Sequence, residues 1–361
     1  MYIDNHIKWK RIGLIIIVLI IFFLCFDNIN KNYDPLSRYE YSTDENREIM
    51  LKYLTQKDIN FVISQKLKPE DFMPYIELEN FDVRNTVWYN KAKSYQDASN
   101  DYIINFVNQY KDIIKKENFE GIISNYTYSS IEEFYTNGDP YHSKSKLVLH
   151  PDALNTLIDN NTTLYKYVPK DLITISHEEI PMVNYVDNFQ AIQVRNEVKE
   201  PLLKMCDSLK SMNGITCGNL ILVQGFVSYE QQVDLYSKAL MDYGNDTYSF
   251  YTDQPGHSEY QLGYTVRFEL AKNDYDAQLS AYQQKITSGE ITEGTPFYTA
   301  QEMWLMENAY KYGFIIRYPY NKQDNTGKYH QRFTLRYVGI DIAEKIHEQG
   351  ITLDEMVFEN E

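Results

Sequence analysis

The chain has 361 residues and a formal net charge of -16 at pH 7. This length is sufficient for one or two domains with a packed core. The acidic balance argues against nucleic acid or another anionic polymer as the main partner, because like charges would repel. A solvated acidic surface is the simpler interpretation of the same charge.

The amino terminus combines a basic flank, residues 1–11, with an uninterrupted apolar run, residues 12–26. As a helix this run would be roughly 22 Å long, which is short of a bilayer core, although Trp9 and the flanking cations could extend it. The pattern predicts either an uncleaved membrane anchor or a cleaved signal. We favour the anchor, because no Ala-x-Ala-like cleavage site follows. The basic flank predicts that the remainder of the chain lies outside the cytoplasm.

The remainder of the chain divides into three predicted segments. Residues 27–45 are polar and lack apolar periodicity, which predicts a tether. Residues 46–165 carry short amphipathic helical patterns and predict a helix-rich accessory region. Residues 166–361 mix short apolar strands with helices, including a long amphipathic helix predicted over 190–212. This mixture predicts an α+β fold, with a small, mostly antiparallel sheet flanked by helices.

Two cysteines follow the anchor. Cys206 and Cys217 could form a disulfide in an oxidising compartment, but their spacing does not define the required geometry. The alternative is that Cys206 is a small core residue on the helix predicted over 190–212.

A sequence motif gives a sharper indication of function. Residues 255–267 read Pro-Gly-His-Ser-Glu-Tyr-Gln-Leu-Gly-Tyr-Thr-Val-Arg. This stretch resembles the signature of VanY-type D-alanyl-D-alanine carboxypeptidases, Pro-Gly-x-Ser-Glu-His-x-x-Gly-x-x-x-Asp. Tyr260 stands at the position of the signature His, and Arg267 at that of the Asp. The family's later Glu-Pro-Trp-His motif aligns so that Gln331 replaces the Glu and Thr334 replaces the His.

The resemblance implies a zinc peptidase, whose metal is held by the two His and the Asp and whose motif Glu is catalytic. Zinc sites are built from Cys, His, Asp and Glu. Tyrosine and threonine hold their protons at neutral pH, and arginine has no lone pair to donate. Glutamine cannot take a proton from water. We therefore expect no cofactor, no metal ligand and no catalytic residue at Tyr260, Arg267, Gln331 and Thr334.

Two histidines lie beside these replaced positions and leave an alternative open. His257 and His330 could belong to a displaced metal site. The family signature often has a His at the position of His257 in addition to the true ligand. No carboxylate partner for His330 can be identified from spacing, and a lone His is more often structural.

The resemblance also indicates a substrate cleft. Gln232 and Ser258 match family positions near the substrate, whereas Val227 replaces the family's recognition Arg and cannot donate a hydrogen bond. The Arg267 side chain has two alternative roles. It binds an anionic group such as a peptide carboxylate, or it pairs with a nearby acid such as Glu269 or Glu259.

These observations predict a membrane-anchored, extracytoplasmic, carboxypeptidase-like protein that binds without cleaving. Its expected substrate-binding residues are Gln232, Ser258 and Arg267. The resemblance makes a peptidoglycan stem peptide the expected small partner, and an envelope protein the expected macromolecular one. Two alternatives are an active peptidase with a displaced metal site and a pure protein–protein interaction module.

Overall fold

The computed structural model describes residues 3–31, 33–182, 184–185, 188–189, 191–245, 247, 249 and 251–356. The chain divides into two compact units, Met1–Lys111 and Asp112–Glu361. Gln190, where the long helix was predicted to begin, lies outside the described residues, as do both chain ends.

The described part of the first unit is helical. Its helices are α1 (Ile3–Lys31), α2 (Asp44–Tyr53), α3 (Gln56–Gln65), α4 (Pro69–Phe72), α5 (Thr86–Tyr95) and α6 (Asn100–Lys115), the last of which crosses the boundary between the units. Thr43 and Thr55 cap α2 and α3 by accepting hydrogen bonds from the backbone three residues later. These caps satisfy backbone donors that a helix start leaves unpaired.

Helix α1 extends the apolar run in both directions. Its stretch Trp9–Asn28 covers 20 residues with a mean hydropathy of 2.4, and none of it is buried. At 1.5 Å per residue this stretch is about 30 Å long, the thickness of a bilayer core. The helix is therefore long and apolar enough to be a membrane anchor, and a signal sequence near an amino terminus has the same properties.

The structure differs from the predicted tether over 27–45. That segment begins inside α1, and its Leu36 and Tyr39 are buried in a core cluster with Met50, Val62 and others. The Tyr39 hydroxyl donates to the Leu67 carbonyl oxygen at 2.8 Å. These isolated apolar side chains anchor the segment without any periodic pattern that the sequence could reveal.

The second unit mixes helices and strands. Its helices are α7 (Phe119–Asn125), α8 (Tyr128–Asn137), α9 (Asn196–Leu209), α10 (Tyr229–Tyr243), α11 (Lys272–Thr287), α12 (Ala300–Asn308), α13 (Gln323–Thr326) and α14 (Ile340–Gln349). Its strands are β1 (Lys146–Leu147), β2 (Thr162–Thr163), β3 (Leu172–Ile175), β4 (Asn184–Tyr185), β5 (Asn188–Phe189), β6 (Ile192–Arg195), β7 (Leu220–Gln224), β8 (Thr265–Leu270), β9 (Phe314–Tyr318) and β10 (Gln331–Tyr337). The predicted α+β class is confirmed.

The main sheet of the described residues has four strands in the order β7-β8-β10-β9, and its neighbouring strands are antiparallel. Its buried side chains include Leu222, Val266, Phe268, Phe314 and Leu335. Both outer pairings contain a register shift, one near Gln224 and one near Gln331. Such bulges redirect side chains, and here both lie at residues of the cleft described below.

The structure places the boundary between units earlier than the predicted limit of 165. The segment after residue 111 packs with the carboxypeptidase-like region. The Tyr126 hydroxyl donates to the Val148 carbonyl at 2.8 Å, and the Tyr126 and Tyr167 rings are 5.9 Å apart. The Leu164 amide donates to the Gly256 carbonyl at 2.7 Å. These contacts tie the later part of the predicted accessory region to the motif around residue 256.

The helix predicted over 190–212 is shorter in the structure. Residues Ile192–Arg195 form β6, which pairs antiparallel with β3, and the helix proper is α9. The alternating burial of Ile192 and Val194 explains the strand. On α9, Cys206 is buried and joined to Cys217 by a disulfide, so it is both a core residue and a bridge partner.

Candidate functional site

A cleft of about 640 Å³ opens in the second unit, between α10, the main sheet and the 3₁₀ turn Glu259–Leu262. This volume is in the usual range for ligand pockets. The structure brings all of the site residues predicted from the sequence to its lining: Gln232, Ser258, Tyr260, Arg267, Gln331 and Thr334.

The sheet register places the replaced motif positions next to one another. Arg267 on β8 lies opposite Thr334 on β10 and also opposite Gln224 on β7. Tyr260 enters from the 3₁₀ turn, and its hydroxyl oxygen is 3.4 Å from Thr334 Oγ1. Two motifs that are about seventy residues apart in sequence thus meet through backbone pairing, independently of which side chains they carry.

Neutral side chains, hydrogen-bonded to one another, occupy the replaced motif positions Tyr260, Thr334 and Gln331. The Thr334 hydroxyl donates to Gln331 Oε1 at 2.8 Å. Burial raises the pKa of the Tyr260 phenol to about 12, although its contact with Thr334 acts in the opposite direction. Tyr260 therefore stays protonated at neutral pH, and none of these three side chains is an ionised base.

Arg267 supplies a positive charge beside these neutral side chains. Its Nη1 donates to Glu269 Oε1 at 2.9 Å, and its Nε donates to Gln224 Oε1 at 3.4 Å. The side chains of Arg267 and Glu269 are 40% and 57% exposed. Of the two acids considered from the sequence, the structure thus selects Glu269. An exposed pair of this kind contributes little to stability and exchanges readily.

Gln232 and Ser258 differ in how far their hydrogen-bonding groups are already used. Gln232 is buried, and its amide donates to Thr252 Oγ1 at 2.9 Å and to the Asp253 carbonyl at 2.7 Å. Ser258 is only 1% exposed, yet its Oγ has no hydrogen-bond partner among the described residues. An unpaired buried hydroxyl is costly, and a ligand in the cleft could satisfy it.

His257 has a structural role in the described contacts. Its Nε2 is 2.9 Å from Asp139 Oδ2, and its Nδ1 is 3.2 Å from the Asp159 carbonyl oxygen. The preceding Gly256 has φ +82, and a Cβ there would lie 2.6 Å from Thr163 Oγ1. The motif's first residues are therefore shaped by packing against the segment before residue 166.

His330 does turn toward the cleft, and it has a carboxylate neighbour that its sequence spacing did not reveal. His330 Nε2 lies 2.8 Å from Glu302 Oε1. Arg332 Nη1 donates to the other oxygen of Glu302 at 2.5 Å and to the Phe297 carbonyl at 2.6 Å. Glu302 is fully buried on α12. It pairs with Arg332 and lies beside the His330 imidazole in the cleft wall.

Beneath the cleft, Glu259 takes part in a buried ion-pair network. Its carboxylate accepts hydrogen bonds from Arg317 Nε at 2.9 Å and from Arg317 Nη2 at 2.8 Å. Burial would raise the pKa of the Glu259 carboxyl, but the charges of Arg317 and Arg336 outweigh it and hold this pKa below the usual value. The network fixes the turn that carries Ser258 and Tyr260.

A family model matches the part of the chain that forms the cleft. Residues 191–340 match the family model described as VanY, D-alanyl-D-alanine carboxypeptidase. The matched segment includes every candidate site residue. The segment resembles VanY, as the motif predicted. The domain is therefore carboxypeptidase-like.

Curated relatives of this VanY-like domain are also named as carboxypeptidases. The chain is 28% identical over 229 residues to "Putative carboxypeptidase YodJ" of Bacillus subtilis (strain 168), an alignment that covers 63% of this chain and 75% of the relative. It is 31% identical over 144 residues to a D-alanyl-D-alanine carboxypeptidase of Enterococcus faecalis (strain ATCC 700802 / V583). That second alignment covers 37% of this chain and 46% of the relative.

Solved structures similar to the VanY-like domain include the LD-carboxypeptidase LdcB, at 28% identity and a TM-score of 0.45, covering 61% of this chain and 89% of that one. VanYB in complex with D-alanine-D-alanine is 22% identical with a TM-score of 0.41, covering 56% of this chain and 95% of that one. A VanY D,D-pentapeptidase variant in complex with Zn(II) is 22% identical with a TM-score of 0.38, covering 56% and 97%.

The comparisons correct one expectation from the sequence, namely that no cofactor is involved. The family that residues 191–340 match suggests zinc, and the VanY variant named above is itself a complex with Zn(II). The side chains of the VanY-like domain do not fit that metal in the usual way, because the described residues contain no group of three or more His, Cys, Asp or Glu able to hold an ion. The family's cofactor and this chain's residues disagree, and no step of the function proposed below passes through a metal.

Proposed function

We propose that the domain binds a peptide through its free C-terminal carboxylate, in particular a stem peptide ending in D-Ala-D-Ala, without hydrolysing it. The observation that carries the proposal is Arg267, a half-exposed cation in the cleft beside the neutral side chains of Tyr260, Thr334 and Gln331. The cleft thus offers a charge for an anion, and the replaced motif positions beside that charge offer no ionised base.

The contacts of the Arg267 and Ser258 side chains support binding of a peptide carboxylate. The exposed contact between Arg267 and Glu269 costs little to exchange for a ligand carboxylate. A guanidinium is suited to this exchange, because its planar donors match the two oxygens of a carboxylate. The unpaired hydroxyl of Ser258 adds a second group that gains a partner when the cleft is filled.

The absence of hydrolysis is supported by the chemistry of the remaining positions. General-base catalysis needs a group that can accept a proton near neutral pH. The Gln331 amide cannot, and its Oε1 already accepts a hydrogen bond from Thr334. The Tyr260 phenol, with its pKa raised by burial to about 12, remains protonated.

For its location, we propose that the protein is anchored by Trp9–Asn28 with the second unit outside the cytoplasm. The length and hydropathy of that stretch and the basic residues before it support this arrangement. Extraction of membranes at alkaline pH should leave the full-length protein in the pellet. Release of a shortened protein that lacks its amino terminus would instead indicate a cleaved signal.

The central experiment compares binding and turnover of one peptide. A pentapeptide ending in D-Ala-D-Ala is titrated by calorimetry, alongside the same peptide with a C-terminal carboxamide. Release of D-Ala is measured in parallel, with and without added zinc. The reference for turnover is a variant with family residues at the replaced positions: Tyr260→His, Arg267→Asp, Gln331→Glu and Thr334→His.

We expect saturable binding of the free acid, binding of the carboxamide weaker by about one to two decades, and no release of D-Ala by the natural sequence. These values follow from the 1.5–3 kcal/mol typical of a charge-assisted hydrogen bond. Release of D-Ala by the natural sequence would establish an active peptidase. Binding of neither peptide would reject a carboxylate site and favour a protein partner.

A further inference from the structure

One face of α10 contributes a second kind of surface to the cleft. Leu235, Lys238, Ala239, Asp242 and Tyr243 all line it. Their spacing of three, four, seven and eight residues places them on one side of a helix. This face is separate from the strand and turn residues that form the proposed carboxylate site.

The helix face continues into a group of three tyrosines, Tyr243, Tyr251 and Tyr329, called here the tyrosine ledge. The Tyr243 and Tyr251 rings are stacked with centroids 4.0 Å apart, and Tyr251 meets Tyr329 edge to face at 6.4 Å. The three residues are 49%, 55% and 50% exposed and all line the cleft. The rings pack on one another while about half of each residue faces solvent.

The polar groups beside the ledge indicate what kind of ligand fits it. Lys238 and Asp242 precede Tyr243 on the same helix, and both are exposed and line the cleft. A purely apolar ligand would cover both charges without giving them partners, at considerable cost. A pyranose ring is different, because its C–H groups pack on an aromatic face and its hydroxyl groups hydrogen-bond at the edge.

We propose that the tyrosine ledge, together with Lys238 and Asp242, is a saccharide subsite that binds a pyranose ring of a sugar-linked stem peptide. This inference rests on the proposed function, since it extends the same cleft from the peptide to the sugar that carries it. The cleft then recognises the two parts of one ligand through different chemistry, a cation for the carboxylate and aromatic faces for the sugar.

The test compares three probes on the full chain: the pentapeptide, the same pentapeptide joined to its N-acetylated disaccharide, and the disaccharide alone. We expect the disaccharide-pentapeptide to bind about three- to tenfold more tightly than the pentapeptide, which is the range of one aromatic contact. Tyr251→Ala should abolish this ratio and leave the pentapeptide affinity unchanged. Tyr251→Phe should retain it, because the ring is kept, as should Tyr53→Ala, a half-exposed tyrosine of the first unit.

The remaining outcomes separate failure of the saccharide subsite from failure of the carboxylate site. Equal affinity of the two peptides for the natural sequence would overturn the saccharide subsite and leave the carboxylate site standing. A ratio that survives in Tyr251→Ala would also overturn it. If neither peptide binds, the proposed function fails, and the saccharide subsite is judged from the disaccharide alone. Disaccharide binding that is lost in Tyr251→Ala would support the subsite. No binding of the disaccharide would reject it.

Discussion

Arg267 and Thr334 face one another across adjacent antiparallel strands, and the Thr334 hydroxyl is turned toward Gln331 while Arg267 reaches Glu269. The two residues therefore do not compete for a common partner within the described contacts. A ligand carboxylate that enters beside them would meet the Arg267 guanidinium on β8, because the Thr334 hydroxyl on β10 already donates its proton to Gln331.

Substituting Arg267→Gln should weaken binding of the free-acid pentapeptide by about 10- to 100-fold, because a charge-assisted hydrogen bond is lost. Arg267→Lys should give an intermediate value, since it keeps the charge but not the planar donors. Calorimetry with the acid and the carboxamide measures both effects. If Arg267→Gln weakened the two peptides equally, the arginine would not be reading the carboxylate.

Substituting Glu269→Gln should strengthen binding of the same peptide, by up to about fivefold. Glu269 holds Arg267 through an exposed ion pair, and such pairs are worth about 0–1 kcal/mol. Removing the internal competitor releases the guanidinium for the ligand. The gain should be largest at low salt, where surface charges are least screened. Weaker binding would mean that Glu269 orients Arg267 rather than competing for it.

Substituting Ser258→Ala should separate stability from binding. The Ser258 hydroxyl is buried and unpaired within the described residues, so its removal should leave the melting temperature unchanged or slightly higher. Peptide affinity should fall by about three- to tenfold, the range of one net hydrogen bond. A large loss of stability would show instead that Ser258 has a structural partner in solution, such as a buried water.

Substituting Glu259→Gln should destabilise the second unit by about 3–5 kcal/mol at pH 7, because it leaves the fully buried Arg336 without a counter-ion among the described residues. Arg317 loses one of its two carboxylate partners and keeps Asp354. The folded-state pKa of Glu259 lies below its usual value, so its contribution is complete above the unfolded pKa of about 4.3 and is lost as the pH falls through the folded value. Denaturant unfolding at several pH values measures this.

The difference between the natural sequence and Glu259→Gln should therefore shrink only below about pH 4. Glu269→Gln serves as the matched control, because its ion pair is exposed and its effect on unfolding should stay below about 1 kcal/mol. A constant difference between Glu259→Gln and the natural sequence down to low pH would exclude the carboxylate as the source of the stability.

Motif spacing predicted much of the site, because it reflects a backbone register. Tyr260, Arg267, Gln331 and Thr334 were assigned from two short motifs, and the pairing of β8 with β10 brings them together. Spacing could not reveal the Glu302 neighbour of His330, since that contact joins α12 to the residue before β10. It depends on how the helix packs against the sheet.

The fold was predicted best where apolar patterns are strong. The short apolar strands of residues 166–361 predicted the α+β class correctly, whereas α11 gave no signal, because the described structure buries none of its residues and it has no apolar face to detect. Strand β6 was assigned to a helix, since its short apolar alternation runs directly into α9. The segment before residue 166 was assigned to a separate region because its contacts with Gly256 and His257 are not local.

The buried pair of Glu259 and Arg317 has a wider consequence. Neither residue lines the cleft, although each is next in sequence to residues that do, and their ion pair holds the turn that carries Ser258 and Tyr260. Ligand recognition can therefore be changed by substituting side chains of the cleft lining, while the buried ion pair that stabilises the fold is kept.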